Sequence, residues 1–192
     1  MGSPQRVEEL KVQANALVEI VKDIFDKKAG IKFNPAPAVE RRDLIEWQGK
    51  MRIAGMEVFN ASTYISYINY YLSEADKQKK NALGAVVLYI LEEQLFSVIT
   101  KLGYPKVDDE NPEELKEGCG RICVDMANDF QKKLAAMGYP ALVMGAVDNN
   151  RNTVPVGVSF NVKEYDKFVT SFCLNDKKVI AVELTLGPMP KR

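Results

Sequence analysis

The feature that most constrains the fold is the stretch from Asn111 to Pro140, which reads as one long helix with both ends marked. Asn111 can cap it, Pro112 suits the first helical position, and Glu114 can return a bond to the cap's N–H. Gly138 followed by Pro140 is a stop signal, because glycine accepts the left-handed conformation that ends helices and proline cannot extend one. Between the ends, Leu115, Cys119, Ile122, Cys123, Met126, Phe130, Leu134 and Met137 recur at three- and four-residue steps. Such a stripe must face a core. The opposite stripe carries Glu117, Arg121, Asp125, Asn128 and Lys132, and any chemistry on this helix would be displayed there.

The remaining segments supply what the helix covers. Ala82 to Leu91 is a continuous apolar run of strand length, the pattern of a central strand covered on both faces. Upstream, Met51, Ile53, Val58 and Phe59, then Tyr64 to Leu72, are rich in aromatic and β-branched residues and read as two strands. Residues 62–72 also fit a short helix, since Ile65, Ile68 and Leu72 keep helical spacing. Downstream, Asp148 to Asn152 reads as a turn, Val154 to Val162 alternates strictly, and Phe168–Leu174 and Val179–Leu186 are further strands around a turn at Asn175-Asp176. The fold class is therefore α+β: an antiparallel β-sheet with long α-helices packed on one face.

Two more helices are legible. Residues 5–28 place Val7, Leu10, Ala14, Leu17, Val21, Ile24 and Phe25 on one face, with Ala29-Gly30 as the stop, and Glu92 to Leu102 turns Leu95, Phe96, Ile99 and Leu102 inward. Gly-Tyr-Pro follows both this helix, at 103–105, and the long one, at 138–140; each copy is explained as a helix stop. Ile31 to Arg42, with Pro35 and Pro37, is a connector or edge strand, and Asp43 to Gln48 is expected to form one helical turn with Trp47 as a packing residue.

Composition narrows the function. With 192 residues and 46% hydrophobic content the chain can build one sizeable core, so a single domain over 1–192 is expected. Lys+Arg and Asp+Glu balance at 26 each, which gives no pull towards nucleic acid or an anionic membrane. No apolar run approaches the roughly 20 residues of a membrane span, so a cytoplasmic location is expected. Cys119, Cys123 and Cys173 fit reduced thiols, the first two on the apolar stripe. The chain contains no histidine, which excludes Ser-His-Asp and Cys-His nucleophile pairs and imidazole-ligated zinc. The acids from Asp108 to Glu117 suit the helix dipole but lack the alternating ligands of a calcium loop. No cofactor or metal is expected. The tyrosine-rich segment, placed at a sheet edge, suits pairing with a second copy, so a homodimer is expected; Tyr64, Tyr67 and Tyr70 also leave room for a small-ligand role.

An apolar strand beginning Gly84-Ala85-Val86-Val87-Leu88, a helix beginning Glu92-Glu93, an acidic loop, a long helix and then strands resembles the CheX/CheC family of chemotaxis phosphatases, most strongly over residues 51–186. The resemblance implies that the partner is a phosphorylated CheY-like response regulator, and that any magnesium belongs to that partner. The family's signature on this helix is an acid or Ser, three residues, Glu, two residues, Asn, with Pro about twenty residues later; the Glu pairs with a lysine of the regulator and the Asn amide holds water. Laid without gaps it falls on Glu117, Arg121 and Val124, and the Pro position falls near Ala146. Shifted by one turn it gives Asp125-x-x-Asn128, with Arg121 in the place of the leading acid; a third register is Glu117-x-x-Gly120. The implied site residues are thus Asp125 for the lysine, Asn128 for the water and Glu117 as peripheral charge. The alternative is a catalytically silent binding or dimerisation module, in which Glu117, Arg121 and Asp125 form an i, i+4, i+8 ladder of surface ion pairs.

Overall fold

The computed structural model describes residues 4–32, 38–42, 46–47, 50–51, 61–152, 167–174 and 177–190. In chain order these form α1 (Pro4–Lys22, continued by a π-helical segment Asp23–Lys28), β1 (Ala38–Arg42), β2 (Glu46–Trp47), β3 (Lys50–Met51) and β4 (Thr63–Tyr71). Then follow α2 (Glu74–Gln78), β5 (Gly84–Leu91), α3 (Glu92–Lys101), α4 (Pro112–Ala136), β6 (Val143–Met144), β7 (Asp148–Arg151), β8 (Lys167–Leu174) and β9 (Lys177–Leu186).

Among the described residues, seven strands make one sheet in the order β1-β8-β9-β5-β4-β6, with β7 also paired to β4, and every pairing is antiparallel. All eight residues of β5 are buried, as its apolar run requires of a strand between two neighbours. One face of the sheet receives the helices. The Tyr70 hydroxyl donates to the Ala127 carbonyl of α4 at 2.8 Å, and the Tyr70 ring meets Phe130 with centroids 6.2 Å apart. Alternation along the strands then places Tyr64, Ser66 and Ile68, with Val86, Leu88, Val182 and Leu184, under the same helices. The apolar stripe of α4 is buried from Leu115 to Leu134, and Leu10, Ala14, Leu17 and Val21 of α1 close the core beside it.

The ambiguity over residues 62–72 resolves as strand, because β5 and β6/β7 satisfy the backbone of β4 on both sides. The tyrosine-rich segment is therefore an interior strand and offers no free edge to a second copy. Tyr64 and Tyr70 are fully buried and Tyr67 nearly so, which makes them core residues of the sheet. Two local expectations are corrected. Glu46-Trp47 pairs with Lys50-Met51 as a small ladder instead of forming a helical turn. Asp148 to Arg151 is a strand, not a turn, for reasons taken up below. The segment at 38–42 is an edge strand on β8. The expected strands over 53–59 and 154–162 and the turn at 175–176 lie outside the described residues, as does the side chain of Trp47.

Helix ends follow the sequence closely. Asn111 caps α4 by accepting from the Glu113 N–H at 3.1 Å. Glu114 does not return to the cap's N–H: it accepts from the Asn111 side-chain amide at 3.2 Å and from the Asp108 N–H at 2.7 Å, which ties the acidic loop to the helix start. Gly103 and Gly138 have φ of +75° and +91°, so both Gly-Tyr-Pro stops use the left-handed turn. Their tyrosines diverge: the Tyr139 hydroxyl donates to Glu9 on α1, and the Tyr104 hydroxyl donates to Asp125 on α4.

Candidate functional site

The polar stripe of α4 borders a groove of about 350 Å³ lined by Tyr104, Glu117, Gly120, Arg121, Val124, Asp125, Val147 and Asn149. Glu117, Arg121 and Asp125 come from one helix face at four-residue steps, and all three are exposed. The far wall is Val147 and β7, and Tyr104 closes one end from the loop after α3.

The expected ladder of ion pairs is not formed: among the described residues neither Glu117 nor Asp125 comes within ion-pair distance of Arg121. Asp125 accepts from the Tyr104 hydroxyl instead. Burial, and then the bond to Asp125, hold that hydroxyl above the ordinary tyrosine range, with Arg121 acting weakly in the opposite sense. The guanidinium of Arg121 is thereby left open to the groove.

Asn149 is the residue that sequence reasoning missed. Its Oδ1 accepts from Ser66 Oγ at 2.7 Å, and its amide lies across Gly120, where a side chain on the helix would collide with it. The four-residue strand that carries it is tied down at every position. Asp148 accepts from the Tyr67 hydroxyl at 2.8 Å, and Arg151 pairs with Glu92 at 2.7 Å while standing 5.8 Å from the Tyr64 ring centroid. Asn152, just beyond, accepts from the Thr63 N–H at 2.8 Å. A polar Asp-Asn-Asn-Arg-Asn run has turn composition, yet four of its five side chains have a partner on another element, and Asn150 Nδ2 donates within the strand to Asp148 Oδ1 at 3.3 Å. The only sequence signal for this was the pair of glycines in α4. Gly118 faces Ile99 and Gly120 faces Asn149, so both mark close approach of a neighbour.

The sequence-derived candidates divide. Glu117 and Asp125 line the groove; Asn128 is exposed on the same helix and is not among the lining residues. The ungapped register is the one that keeps all three of its positions, Glu117, Arg121 and Val124, in the groove. Cys119 and Cys123 lie beneath it as buried free thiols; burial pushes Cys119 up to about 12 and raises Cys123 well above the ordinary thiol range, so neither is a nucleophile at neutral pH. Among the described residues no group of three or more Cys, Asp or Glu is placed to hold a metal ion, and no helix is long and apolar enough to cross a membrane.

No protein-family model matches the chain, and no curated protein matches its sequence. Solved structures do match. A CheC-like superfamily protein from Shewanella sp. PV-4 superposes with a TM-score of 0.59 at 10% identity, over 92% of this chain and 97% of that one. A chain of the CheX–CheY–BeF3–Mg complex from Borrelia burgdorferi gives 0.53 at 14% identity, over 92% and 98%. The chain has the CheC-like fold. FliY from Thermotoga maritima shares it as well, with a TM-score of 0.59 at 14% identity over 97% of this chain and 92% of that one.

Proposed function

We propose that this chain is a cytoplasmic, chemotaxis-type signalling protein that docks a phosphorylated CheY-like response regulator on the groove beside α4 and accelerates loss of its phosphate. One observation carries this reading: the three positions on which the signature falls without gaps line a single groove on the exposed stripe of the long helix. The fold neighbour from a CheX–CheY complex supports the class of partner. Glu117, exposed and with no ion pair among the described residues, meets a lysine of the regulator. Asp125, one of whose oxygens is taken by Tyr104, adds a second carboxylate to the docking face. Any magnesium belongs to the regulator. With no histidine in the chain, catalysis rests on positioning and electrostatics, as is general for phosphoryl transfer.

A second reading is a catalytically silent docking module. It is favoured by Arg121 and Val124, which put a cation and a methyl pair where the signature has Glu and Asn; valine cannot hold a water by hydrogen bonding. Two measurements separate the readings. Titration with a beryllofluoride-activated CheY-type receiver reports docking, and phosphate release from the phosphorylated receiver reports catalysis. Docking with acceleration supports the first reading, docking without it the second. Failure to bind a panel of receivers would sink both.

A further inference from the structure

We propose that Asn149, from β7, is the amide that this protein presents to the reacting phosphoryl group, in place of an amide on α4. The inference rests on the first reading above, docking with acceleration, and assigns the groove its water-positioning residue; docking of the receiver without any acceleration overturns it.

Three observations converge on Asn149. It lines the same groove as Glu117, Arg121 and Val124, whereas Asn128 does not. Its orientation is fixed: Ser66 Oγ has a single proton, and that proton is given to Asn149 Oδ1 at 2.7 Å. Ser66 is itself a fully buried residue of β4. Finally, the amide nitrogen is free. No described group accepts from Asn149 Nδ2, and the atom is not sealed from solvent, which leaves two N–H donors at the groove wall. Gly120 is what allows this, because a Cβ there would sit 2.6 Å from Nδ2 and 2.4 Å from Oδ1. The sequence accepts a glycine inside a helix, where alanine would be the better helix former, and a polar amide lies over the gap.

An amide fixed in this way suits hydrolysis of an aspartyl phosphate. The reaction needs a water held in line with the scissile bond and donors for charge on the phosphoryl oxygens. The water oxygen bonds to phosphorus, the bond from phosphorus to the aspartyl oxygen breaks, and its electron pair leaves with the carboxylate. Both water protons remain on the released dihydrogen phosphate, so no general base is required of the chain. Asn149 Nδ2 donates to the phosphoryl oxygen or holds the water, and Arg121, with no carboxylate within ion-pair distance among the described residues, faces the same charge from the helix side. Glu117 and Asp125 also face the groove; their charge disfavours a free anion there, so the site acts on a phosphoryl group delivered by a docked partner and not on inorganic phosphate.

The test uses the full chain and a phosphorylated CheY-type receiver, with phosphate release followed as a function of protein concentration. Asn149→Asp keeps the size of the side chain and the acceptor for Ser66 but removes the donors, and Asn149→Ala removes the amide altogether. Both are expected to lower the maximal rate roughly 10- to 100-fold while the half-saturating concentration and the binding of the beryllofluoride-activated receiver stay within about twofold. Urea unfolding of each variant shows that the fold is kept. If Asn128→Ala lowers the maximal rate more than either substitution at 149, the assignment is overturned. It is overturned too if the receiver binds and the wild-type rate is unaffected by Asn149→Asp. Loss of receiver binding by the wild-type chain instead removes the docking reading and takes the assignment with it.

Discussion

Gly120 and Asn149 compete for one volume: a Cβ on the glycine would lie 2.4 Å from the asparagine Oδ1 and 2.8 Å from its Cγ. Alanine at 120 should gain about 1 kcal/mol from helix propensity and lose about 1–3 kcal/mol from overpacking. It also pushes Asn149 off Ser66. We expect Gly120→Ala to be destabilised by about 1–2 kcal/mol in urea unfolding, and Gly120→Ala combined with Asn149→Ala to recover most of the loss. A single variant more stable than the wild type would show that the amide does not occupy that space.

The other close-packed glycines should rank by what their neighbour is made of. A Cβ on Gly84 would meet the backbone oxygen of Thr185 at 1.9 Å, and a strand backbone inside a sheet cannot step aside. On Gly118 it would meet only the side chain of Ile99, its terminal carbon at 2.3 Å and Cγ1 at 3.1 Å. Gly84→Ala is expected to cost about 3 kcal/mol or more, or to prevent folding. Gly118→Ala should stay within about 1 kcal/mol of the wild type, and Ile99→Val, which removes the colliding carbon, should relieve it.

Cys119 and Cys123 should resist alkylation. Both are buried and burial holds their thiols protonated, so the reactive thiolate is scarce and unreachable. In a Cys173→Ser background, native protein at pH 7.5 should consume almost no thiol reagent, and two equivalents should react in denaturant. Rapid native modification would contradict the packing of α4 on the sheet.

Stability should fall on the alkaline side. The hydroxyls of Tyr67, Tyr70 and Tyr104 are raised above the ordinary tyrosine value, each by burial first, with Asp148 and Asp125 adding to Tyr67 and Tyr104. The folded state therefore holds these protons, and those of the two thiols, more tightly than the unfolded chain does. Their contribution is complete below the unfolded values and is lost as pH climbs towards the folded ones. Unfolding free energy should decline from about pH 8.5 as the unfolded thiols ionise and more steeply beyond about pH 10. Tyr104→Phe should flatten part of the upper limb. A profile that is flat to pH 11 would refute the assignment of buried, protonated hydroxyls.

Replacing Tyr70 isolates one tie between sheet and helix. Tyr70→Phe keeps the ring against Phe130 but deletes the bond to the Ala127 carbonyl. The expected loss is about 1 kcal/mol, read as a shift in the urea midpoint with no change in slope.

The sequence by itself determined the elements whose signals are local. The spacing of Leu115 to Leu134 set the buried stripe of α4, Asn111 and Gly138 set its ends, and the unbroken apolar run of β5 set the centre of the sheet. These are properties of a chain segment and its own solvent preference. The tertiary structure decided whatever depends on partners distant in sequence. Residues 63–71 became strand because neighbours on both sides satisfied their backbone. In the run Asp148 to Asn152, with the composition of a turn, Asp148–Arg151 became a strand because Tyr67, Ser66, Glu92 and Thr63 were placed to partner the polar groups of the run. The candidate site divides the same way. That the outer stripe of α4 would carry Glu117, Arg121 and Asp125 was legible from the helical repeat. That Asp125 would turn to Tyr104, and that an amide from another strand would lie over Gly120, depended on long-range packing with no periodic trace in the chain.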